Sequence, residues 1–313
     1  MIEKMAANTM TAIDLFAGAG GFSEGARMAG VKVAWAANHW PLAVQYHEAN
    51  HPTTWHQCQD LQQADWRVVP PHDIVLASPA CQGHSPARGK ERPHHDALRS
   101  TAWAVVACAE YHRSPILLVE NVPAFEKWVL FPAWKDALRR LGYSVSPHLV
   151  DAADHGVPQN RERLFIVCTR SRRPLKLRLP RRPHVPIADV LEWDAHPWTP
   201  INTARRSPNT IRRIEAGRAA FGHRFLAPYY SSGSGRTGRS IERPIGTIPT
   251  RDRWAVIQGD QMRMLAVPEA KAAMGFQRGY ILPENHAEAM HLLGNAVCPV
   301  VAADFMDALR AAA

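Results

Sequence analysis

Residues 14–25 read DLFAGAGGFSEG, and they carry the clearest signal of the fold in this chain. The apolar run Thr11–Phe16 predicts a strand, the glycines that follow predict a tight turn, and Phe22–Ala29 predicts a helix. A glycine turn between a strand and a helix lets the backbone approach a nucleoside-bearing ligand closely, as in NAD, FAD and S-adenosylmethionine sites. The glycine spacing differs from G-x-G-x-x-G, and no acidic residue ends the second strand, which disfavours NAD and FAD.

The alternation of strands and helices continues through the first 170 residues. Further strands are predicted at Val31–Ala36, Asp73–Ala77, Ile116–Val119, Tyr143–Val150 and Leu164–Thr169, and further helices at Pro41–Asn50, Ser100–Arg113 and Ala133–Leu141. This order predicts an α/β fold with a Rossmann-like, doubly wound and mostly parallel sheet. Ligands of such sheets bind beyond the carboxyl ends of the strands.

Two reactive side chains follow predicted strands at that edge. Cys81 stands in SPACQGHS after the strand Asp73–Ala77, and Glu120 ends the apolar run ILLVEN. Taken singly, the thiol suits an inert core residue and the carboxyl a strand-end turn. The glycine loop, a Gln159-x-Arg161-x-Arg163 element and a basic segment accompany them. Together these features predict a site in which the thiol attacks a ring and the carboxyl protonates that ring at another atom.

Length and composition limit the classes of protein. The chain has 313 residues, enough for one large and one smaller domain. Its five cysteines are odd in number and contain no Cys-x-x-Cys pair, so we expect neither a disulfide framework nor a metal site. No stretch approaches the roughly 20 apolar residues of a membrane span, and the first residues lack an apolar secretion signal. We therefore expect a cytoplasmic protein.

The positive charge is concentrated in one quarter of the chain. Residues 170–243 hold 16 Lys and Arg against 5 Asp and Glu, a balance of +11, whereas the whole chain carries +9. A local excess favours a polyanionic partner, most simply nucleic acid, over general solubility. We predict a catalytic and cofactor-binding domain at 1–170, a small basic recognition domain at 171–260, and a C-terminal segment at 261–313. In this last segment we predict helices at Glu269–Gly275 and Val297–Arg310, which pack back on the catalytic domain.

The chain resembles the cytosine-5 DNA methyltransferases over nearly its full length. Six elements carry the resemblance in the family's order: Asp14–Gly21, Pro79–Ser85, Glu120-Asn121-Val122, Gln159–Arg163, Arg243-Pro244 with Thr247, and Gly294-Asn295-Ala296-Val297. The resemblance implies methyl transfer from S-adenosylmethionine to C5 of a flipped-out cytosine in double-stranded DNA, through a covalent bond between Cys81 and C6.

The resemblance also implies roles for individual residues. The implied catalytic residues are Cys81, Glu120, Arg161 and Arg163. The implied cofactor contacts are Asp14, Leu15, Phe16, Ala17, Gly18, Gly20, Gly21, Asn38, His39, Asp60, Leu61, Pro79, Asn295, Ala296 and Val297. The implied substrate contacts are Gln82, Ser85, Asn121, Gln159 and Arg243. For Asn295, a cap at the start of a helix is the structural alternative.

Two positions depart from the family. Asn38 stands where an acidic residue usually binds the ribose, and Ala80 precedes the cysteine where proline is usual, with Pro79 one place earlier. Two other functions stay open: an RNA (tRNA) cytosine-5 methyltransferase and an inert DNA-binding relative. The length of the basic segment favours DNA, and retention of Cys81, Glu120 and Arg163 disfavours an inert protein. The resemblance further implies a monomer in the bacterial cytoplasm at the nucleoid. Three contexts stay open: a restriction-modification system with a cognate restriction endonuclease, a phage-borne enzyme and a solitary enzyme.

Overall fold

The structure is a computed structural model that describes residues 10–80, 101–171, 173–203, 206–229 and 238–312. The chain divides into two compact units. The first unit consists of Met1–Val150, Glu162–Pro180 and Val297–Ala313, and the second of Asp151–Arg161 and Arg181–Ala296. These boundaries differ from the predicted divisions at 170 and 260, because residues 151–161 and 261–296 fall in the second unit and residues 171–180 in the first. Residues 297–313 belong to the first unit.

Seven of the described strands form the sheet of the first unit. They are β1 (Thr11–Leu15), β2 (Lys32–Asn38), β3 (Trp55–Cys58), β4 (Ile74–Ala77), β5 (Ile116–Asn121), β6 (Ser144–Asp151) and β7 (Glu162–Thr169), in the order β3-β2-β1-β4-β5-β7-β6. β1 to β5 pair in parallel, and β7 pairs antiparallel to β5. The predicted mostly parallel, doubly wound sheet is therefore confirmed.

The first unit has five described helices: α1 (Gly21–Met28), α2 (Pro41–Asn50), α3 (Trp103–His112), α4 (Phe131–Arg140) and α8 (Pro299–Ala312). The centre of the sheet is fully apolar: Ile13, Val75 and Leu117 are completely buried. Such continuous apolar strands are typical of parallel sheets covered on both faces. Helix α8 packs closely on α1, because a Cβ at Gly25 would lie 2.5 Å from the Cβ of Ala302.

The second unit contains a four-stranded sheet and three described helices. The strands are β8 (Thr199–Pro200), β9 (Arg224–Pro228), β10 (Trp254–Gln258) and β11 (Gln261–Met264), in the order β8-β11-β10-β9 with antiparallel pairing. The helices are α5 (Pro208–Phe221), α6 (Val267–Ala273) and α7 (His286–Asn295). Ile214 of α5 packs with Phe225 and Ile257 in a small separate core. This sheet and helix α5 add regular structure to a segment in which the sequence shows few long periodic runs.

The segment His286–Ala312, which contains α7 and α8, is long and apolar enough to cross a membrane, but 78% of its most apolar window is buried inside the protein. Helices of a protein core pass the same test of length and composition. This segment is therefore weak evidence for a membrane span, and it is the single candidate within the described residues.

Candidate functional site

The first part of the site lies where β4 and β5 end side by side. The Asn121 side chain donates a hydrogen bond from Nδ2 to the carbonyl of Pro79 at 3.1 Å, and both residues are buried. The amide of Ala80 donates to Oγ1 of Thr101 at 3.2 Å. These bonds hold both flanks of the segment that carries the predicted nucleophile. Cys81, Gln82 and Ser85 themselves lie outside the described residues.

Glu120 and Arg163 form an ion pair at the same edge of the sheet. Oε1 of Glu120 lies 3.1 Å from Nε of Arg163, and the two side chains are 8% and 15% exposed. The antiparallel register explains the pair, because Asn121 of β5 lies opposite Leu164 of β7 and Arg163 precedes it. A carboxyl and a guanidinium, both named as catalytic candidates from the sequence, are thus brought together next to the Asn121–Pro79 contact.

The glycine loop between β1 and α1 has an unusual backbone. Phe16, Gly18 and Gly20 have φ angles of 62°, 53° and 78°, and Gly20 is the N-terminal cap of α1. Gly21 has no room for a side chain, since a Cβ there would lie 2.0 Å from the carbonyl oxygen of Val297. The loop and residue 297, both predicted to contact the cofactor, therefore lie against each other.

Asp14, the first residue of that loop motif, is almost completely buried. Its Oδ2 accepts a hydrogen bond from Oγ of Ser23 at 2.7 Å, while Oδ1 has no hydrogen-bond partner among the described residues. Next to it, Leu15 is buried in the core. The amide of Ala17 donates to the carbonyl of Ala37 at 3.0 Å, which joins the loop to the end of β2.

A small, open pocket lies beside the loop and the end of β2. Small side chains dominate its walls, which consist of Ala17, Gly18, Ala36, Ala37, Asn38, Ala43, Val44, His47 and His56. Oδ1 of Asn38 accepts a hydrogen bond from the amide of Trp40 at 2.9 Å, which fixes the turn into α2.

The ends of β2 and β3 bring further predicted cofactor residues to this edge. Asn38 pairs with Cys58, and the amide of Gln59 donates to the carbonyl of Asn38 at 3.0 Å. His39 and Asp60 are exposed there. Oδ1 of Asp60 accepts from the amide of Gln62 at 3.0 Å and so caps a short helical turn, of which Leu61 is the buried residue.

The first unit thus has a loop with backbone space for a nucleoside, a pocket lined by small residues, and polar groups at the ends of β2 and β3. This arrangement fits S-adenosylmethionine, whose adenosine needs close backbone approach and a few polar contacts. Asn38, His39 and Asp60 supply polar groups at these strand ends.

Two predicted site residues of the second unit are buried. Nη2 of Arg161 donates to the carbonyls of Gly294 and Ala296 at 2.9 and 2.8 Å, and Nη1 donates to the carbonyl of Ile248 at 3.2 Å. The fully buried amide of Gln159 accepts from the amide of Ile248 at 2.9 Å and donates to the carbonyl of Ala273 at 3.1 Å. This burial favours a positioning role over direct contact with a base or the nucleophile.

Of the remaining predicted residues of this unit, Asn295 and Arg243 are accessible. Asn295 is exposed and is the last residue of α7, while α8 begins at Pro299. The alternative of a cap at the start of a helix is therefore wrong for Asn295. Ala296 is buried. Arg243 is exposed, and its carbonyl accepts from the amide of Ile187 at 3.0 Å.

The basic segment differs along its length in how its charges are partnered. Lys176 and Arg178 are exposed and alternate with the half-buried Leu177 and Leu179. By contrast, Nη2 of Arg218 lies 2.9 Å from Oδ1 of Asp260. The 176–178 stretch therefore presents cations to solvent.

Sequence reasoning missed three side chains next to the glycine loop. His47 of α2, His56 of β3 and Ser23 of α1 form a hydrogen-bonded line that ends on Asp14. His47 and His51 are four residues apart, a spacing that puts two side chains on one face of a helix, and this is the signal in the sequence that could have revealed the cluster.

Comparison with known proteins identifies the family. The sequence profile described as C-5 cytosine-specific DNA methylase matches residues 10–310. The chain belongs to this family. It is a DNA cytosine-5 methyltransferase that uses S-adenosylmethionine as its methyl donor.

Individual relatives agree with this assignment. The chain is 26% identical over 300 residues to the type II methyltransferase M.MspI of Moraxella sp, covering 92% of this chain and 68% of that protein. It is 27% identical over 310 residues to the type II methyltransferase M.NlaX of Neisseria lactamica, covering 96% of both. A solved structure of Spodoptera frugiperda DNMT2 matches with a TM-score of 0.70 at 19% identity, covering 96% of this chain and 100% of that one. The last similarity shows the fold.

Proposed function

We propose that Cys81, Glu120 and Arg163 carry out the methylation of a flipped-out cytosine at the carboxyl edge of β4 and β5. The observation that carries this proposal is the Glu120–Arg163 pair beside the Asn121–Pro79 contact, because Pro79 leads directly into the segment of Cys81. The duplex hides C5 of cytosine inside the base stack, so the base must leave the stack to meet these side chains.

Each residue type suits one step of this chemistry. The Cys81 thiolate forms a bond to C6, which turns the ring into an enamine with nucleophilic C5. Negative charge then develops towards N3 and O2, where Glu120 donates or shares a proton at N3 and Arg163 binds O2. S-adenosylmethionine supplies the methyl group. A base then removes the C5 proton, and the electron pair of the C5–H bond restores the ring as the thiolate leaves.

We assign the cofactor to the loop Asp14–Gly21 and the adjacent ends of β2 and β3. The close approach of Gly21 to Val297 and the pocket beside Asn38 support this assignment. Asn38 offers an amide where an acidic group would add a charge-assisted hydrogen bond to the ribose.

Gln159 and Arg161 have a positioning role in this proposal. Their hydrogen bonds connect residue 248, the end of α6 and the end of α7 within the second unit. The guanidinium of Arg161 satisfies carbonyls at the C-terminal end of α7, where a helix presents partial negative charge. Gln82, Ser85 and Arg243 are left as the proposed contacts to the DNA strand around the target base.

The proposed partner is double-stranded DNA, bound through the basic segment 170–243. Its balance of +11 supports several phosphate contacts. The type II names of the relatives support a restriction-modification system, and we propose a cognate endonuclease, a monomeric enzyme and a cytoplasmic, nucleoid-associated location on that basis.

Transfer of a labelled methyl group from S-adenosylmethionine tests this proposal. Purified protein is incubated separately with unmethylated duplex DNA and with unmodified tRNA, and the product nucleosides are separated. We expect 5-methyldeoxycytidine from DNA and no product with Cys81→Ser. 5-Methylcytidine from tRNA alone would replace the DNA assignment with the RNA alternative, and a methylated exocyclic nitrogen would refute the covalent chemistry.

A further inference from the structure

Two arginines of the second unit lie against the same tryptophan. The guanidinium carbons of Arg239 and Arg253 are each 5.6 Å from the ring centre of Trp254. The indole is buried, and its Nε1 donates to the carbonyl of Thr247 at 3.3 Å. A guanidinium over an aromatic ring, within about 6 Å of its centre, is attracted by the ring's electrons. Trp254 therefore holds two positive charges at one place in the fold.

Backbone hydrogen bonds fix the positions of both arginines on the small sheet. The carbonyl of Arg253 accepts from the amide of Tyr229 at 2.6 Å. The amide of Arg239 donates to the carbonyl of Leu226 at 2.7 Å, and the amide of Leu226 donates back at 2.9 Å. Both side chains therefore start from backbone that is bonded to β9 or to its end. Such pre-organised groups lose less conformational entropy when they bind a partner.

The two guanidiniums lack an anion of their own. Among the residues that the structure describes, neither side chain has a hydrogen bond or an ion pair, and Nε of Arg253 is buried without a partner. The neighbouring carboxylate of Asp252 lies 2.8 Å from Nε2 of His286. Arg239 is exposed, whereas Arg253 is half-buried. Burying part of a cation without an acceptor is costly, so Arg253 is suited to an anion that comes from outside the described chain.

Another arginine of the same sheet has the anion that Arg253 lacks. The guanidinium carbon of Arg263 lies 4.8 Å from the ring centre of Trp198, and its Nε is also buried without a partner. However, Nη1 and Nη2 of Arg263 lie 2.7 and 2.6 Å from the two carboxylate oxygens of the fully buried Glu269. The chain thus supplies a two-oxygen anion at Arg263. A phosphate offers the same paired oxygens to a guanidinium as a carboxylate does.

We propose that Arg253, together with Arg239, binds the phosphate backbone of duplex DNA. This inference rests on the proposed DNA partner, and it adds to the segment 170–243 a contact that lies beyond it. Trp254 holds the two guanidiniums, and their N–H groups donate to phosphate oxygens of the duplex. Phosphate contacts fix the register and orientation of a protein on DNA and carry no direct sequence information. Arg253 is therefore a positioning residue for methylation on any duplex sequence.

The salt dependence of duplex binding counts phosphate contacts. Fluorescence anisotropy gives the dissociation constants for two unrelated mixed-sequence duplexes between about 50 and about 200 mM salt. Each lost contact lowers the slope by about 0.9, so over this range Arg253→Gln should lose about 3.5-fold less affinity than the wild type, and Arg239→Gln/Arg253→Gln about 12-fold less. Arg253→Lys keeps the charge and should keep the wild-type slope. An unchanged slope in Arg253→Gln, a double variant that equals the single one, or an effect confined to one duplex would overturn the inference.

The matched control for the loss of one charge is Arg67→Gln. Nε and Nη2 of Arg67 each donate to a carboxylate oxygen of Asp65 at 2.8 Å, so this guanidinium already has its anion within the chain. The control removes the same positive charge as Arg253→Gln and should keep the wild-type slope. A slope reduced as much as in Arg253→Gln would show an effect of net charge alone, and would overturn the inference.

Urea unfolding without DNA separates this contact from a structural role. Arg253→Gln removes a cation that has no partner in the described chain, so its unfolding midpoint should stay close to that of the wild type. Arg263→Gln leaves Glu269 buried and unpaired, so its midpoint should fall clearly. A fall in Arg253→Gln as large as that in Arg263→Gln would make Arg253 a structural residue and overturn the inference. Absence of any duplex binding by the wild type would instead refute DNA as the proposed partner.

Discussion

Variants of the Glu120–Arg163 pair can show whether the pair contributes to stability, to catalysis or to both. Glu120→Gln keeps the size of the side chain but leaves Arg163, 15% exposed, without its carboxylate partner. Breaking a fully buried pair costs about 3–5 kcal/mol, and the partial exposure here lowers our expectation to about 2–3 kcal/mol. The double variant Glu120→Gln/Arg163→Gln removes both charges. It should therefore recover at least about 1 kcal/mol of unfolding free energy, measured by urea denaturation.

Activity should respond differently from stability. General acid catalysis contributes about 10²- to 10⁴-fold, so we expect Glu120→Gln to lower kcat by that factor and the double variant to stay equally inactive. The assay is labelled methyl transfer to unmethylated duplex DNA under conditions where each variant is folded. Glu162→Gln, an exposed neighbour, is the control and should retain wild-type activity. Recovery of activity together with stability in the double variant would show that the pair is structural, and would refute the assigned role of Glu120.

Three further predictions concern the cofactor loop, the ribose contact and the DNA surface. Gly21→Ala should lower the unfolding free energy by about 1–3 kcal/mol and weaken the binding of S-adenosylmethionine, because the new Cβ would meet the Val297 backbone. Gly279 has open space around it, so Gly279→Ala should change neither the unfolding free energy, measured by denaturation, nor the affinity, measured by calorimetry. Asn38→Asp keeps the acceptor for the Trp40 amide and should tighten the binding of S-adenosylmethionine by about 1 kcal/mol, or about fivefold in the dissociation constant measured by calorimetric titration. Weaker binding would mean that Asn38 does not face the ribose. Replacing Lys176 and Arg178 by Ala should reduce the salt slope of duplex binding by up to about 1.8, measured by fluorescence anisotropy. Lys32→Ala, an exposed position at the amino end of β2 and away from the strand ends that form the site, should leave the slope unchanged.

The order and type of the central elements were predictable because they depend on local patterns. The apolar strand β4, the apolar start of β5 and the glycine turn after β1 each carry their signal within a few residues. β3 was missed because it is a short edge strand with polar residues and an exposed Trp55, so it lacks apolar periodicity. α7 was missed because its apolar residues do not recur clearly at helical spacing, whereas the longer helix α8 has a clearer apolar repeat.

The candidate site was predictable as a set of residues but only partly as a set of contacts. The strand-end positions of Glu120 and Pro79 follow from parallel sheet geometry. The Glu120–Arg163 pair needs the antiparallel register of β5 and β7, which no local pattern specifies. Likewise, the bonds of Arg161 to the end of α7 and the line from His56 to Asp14 join residues far apart in the chain. Such contacts arise only when the tertiary fold forms.

Cytosine methylation by Cys81 is tested most directly by a methylome of DNA from a methylation-free bacterial host that expresses this chain. We expect 5-methylcytosine at one defined duplex sequence with the wild type, and unmodified DNA with Cys81→Ser expressed at the same level. Modification of the same sequence by Cys81→Ser, or a wild-type methylome without 5-methylcytosine, would contradict this expectation.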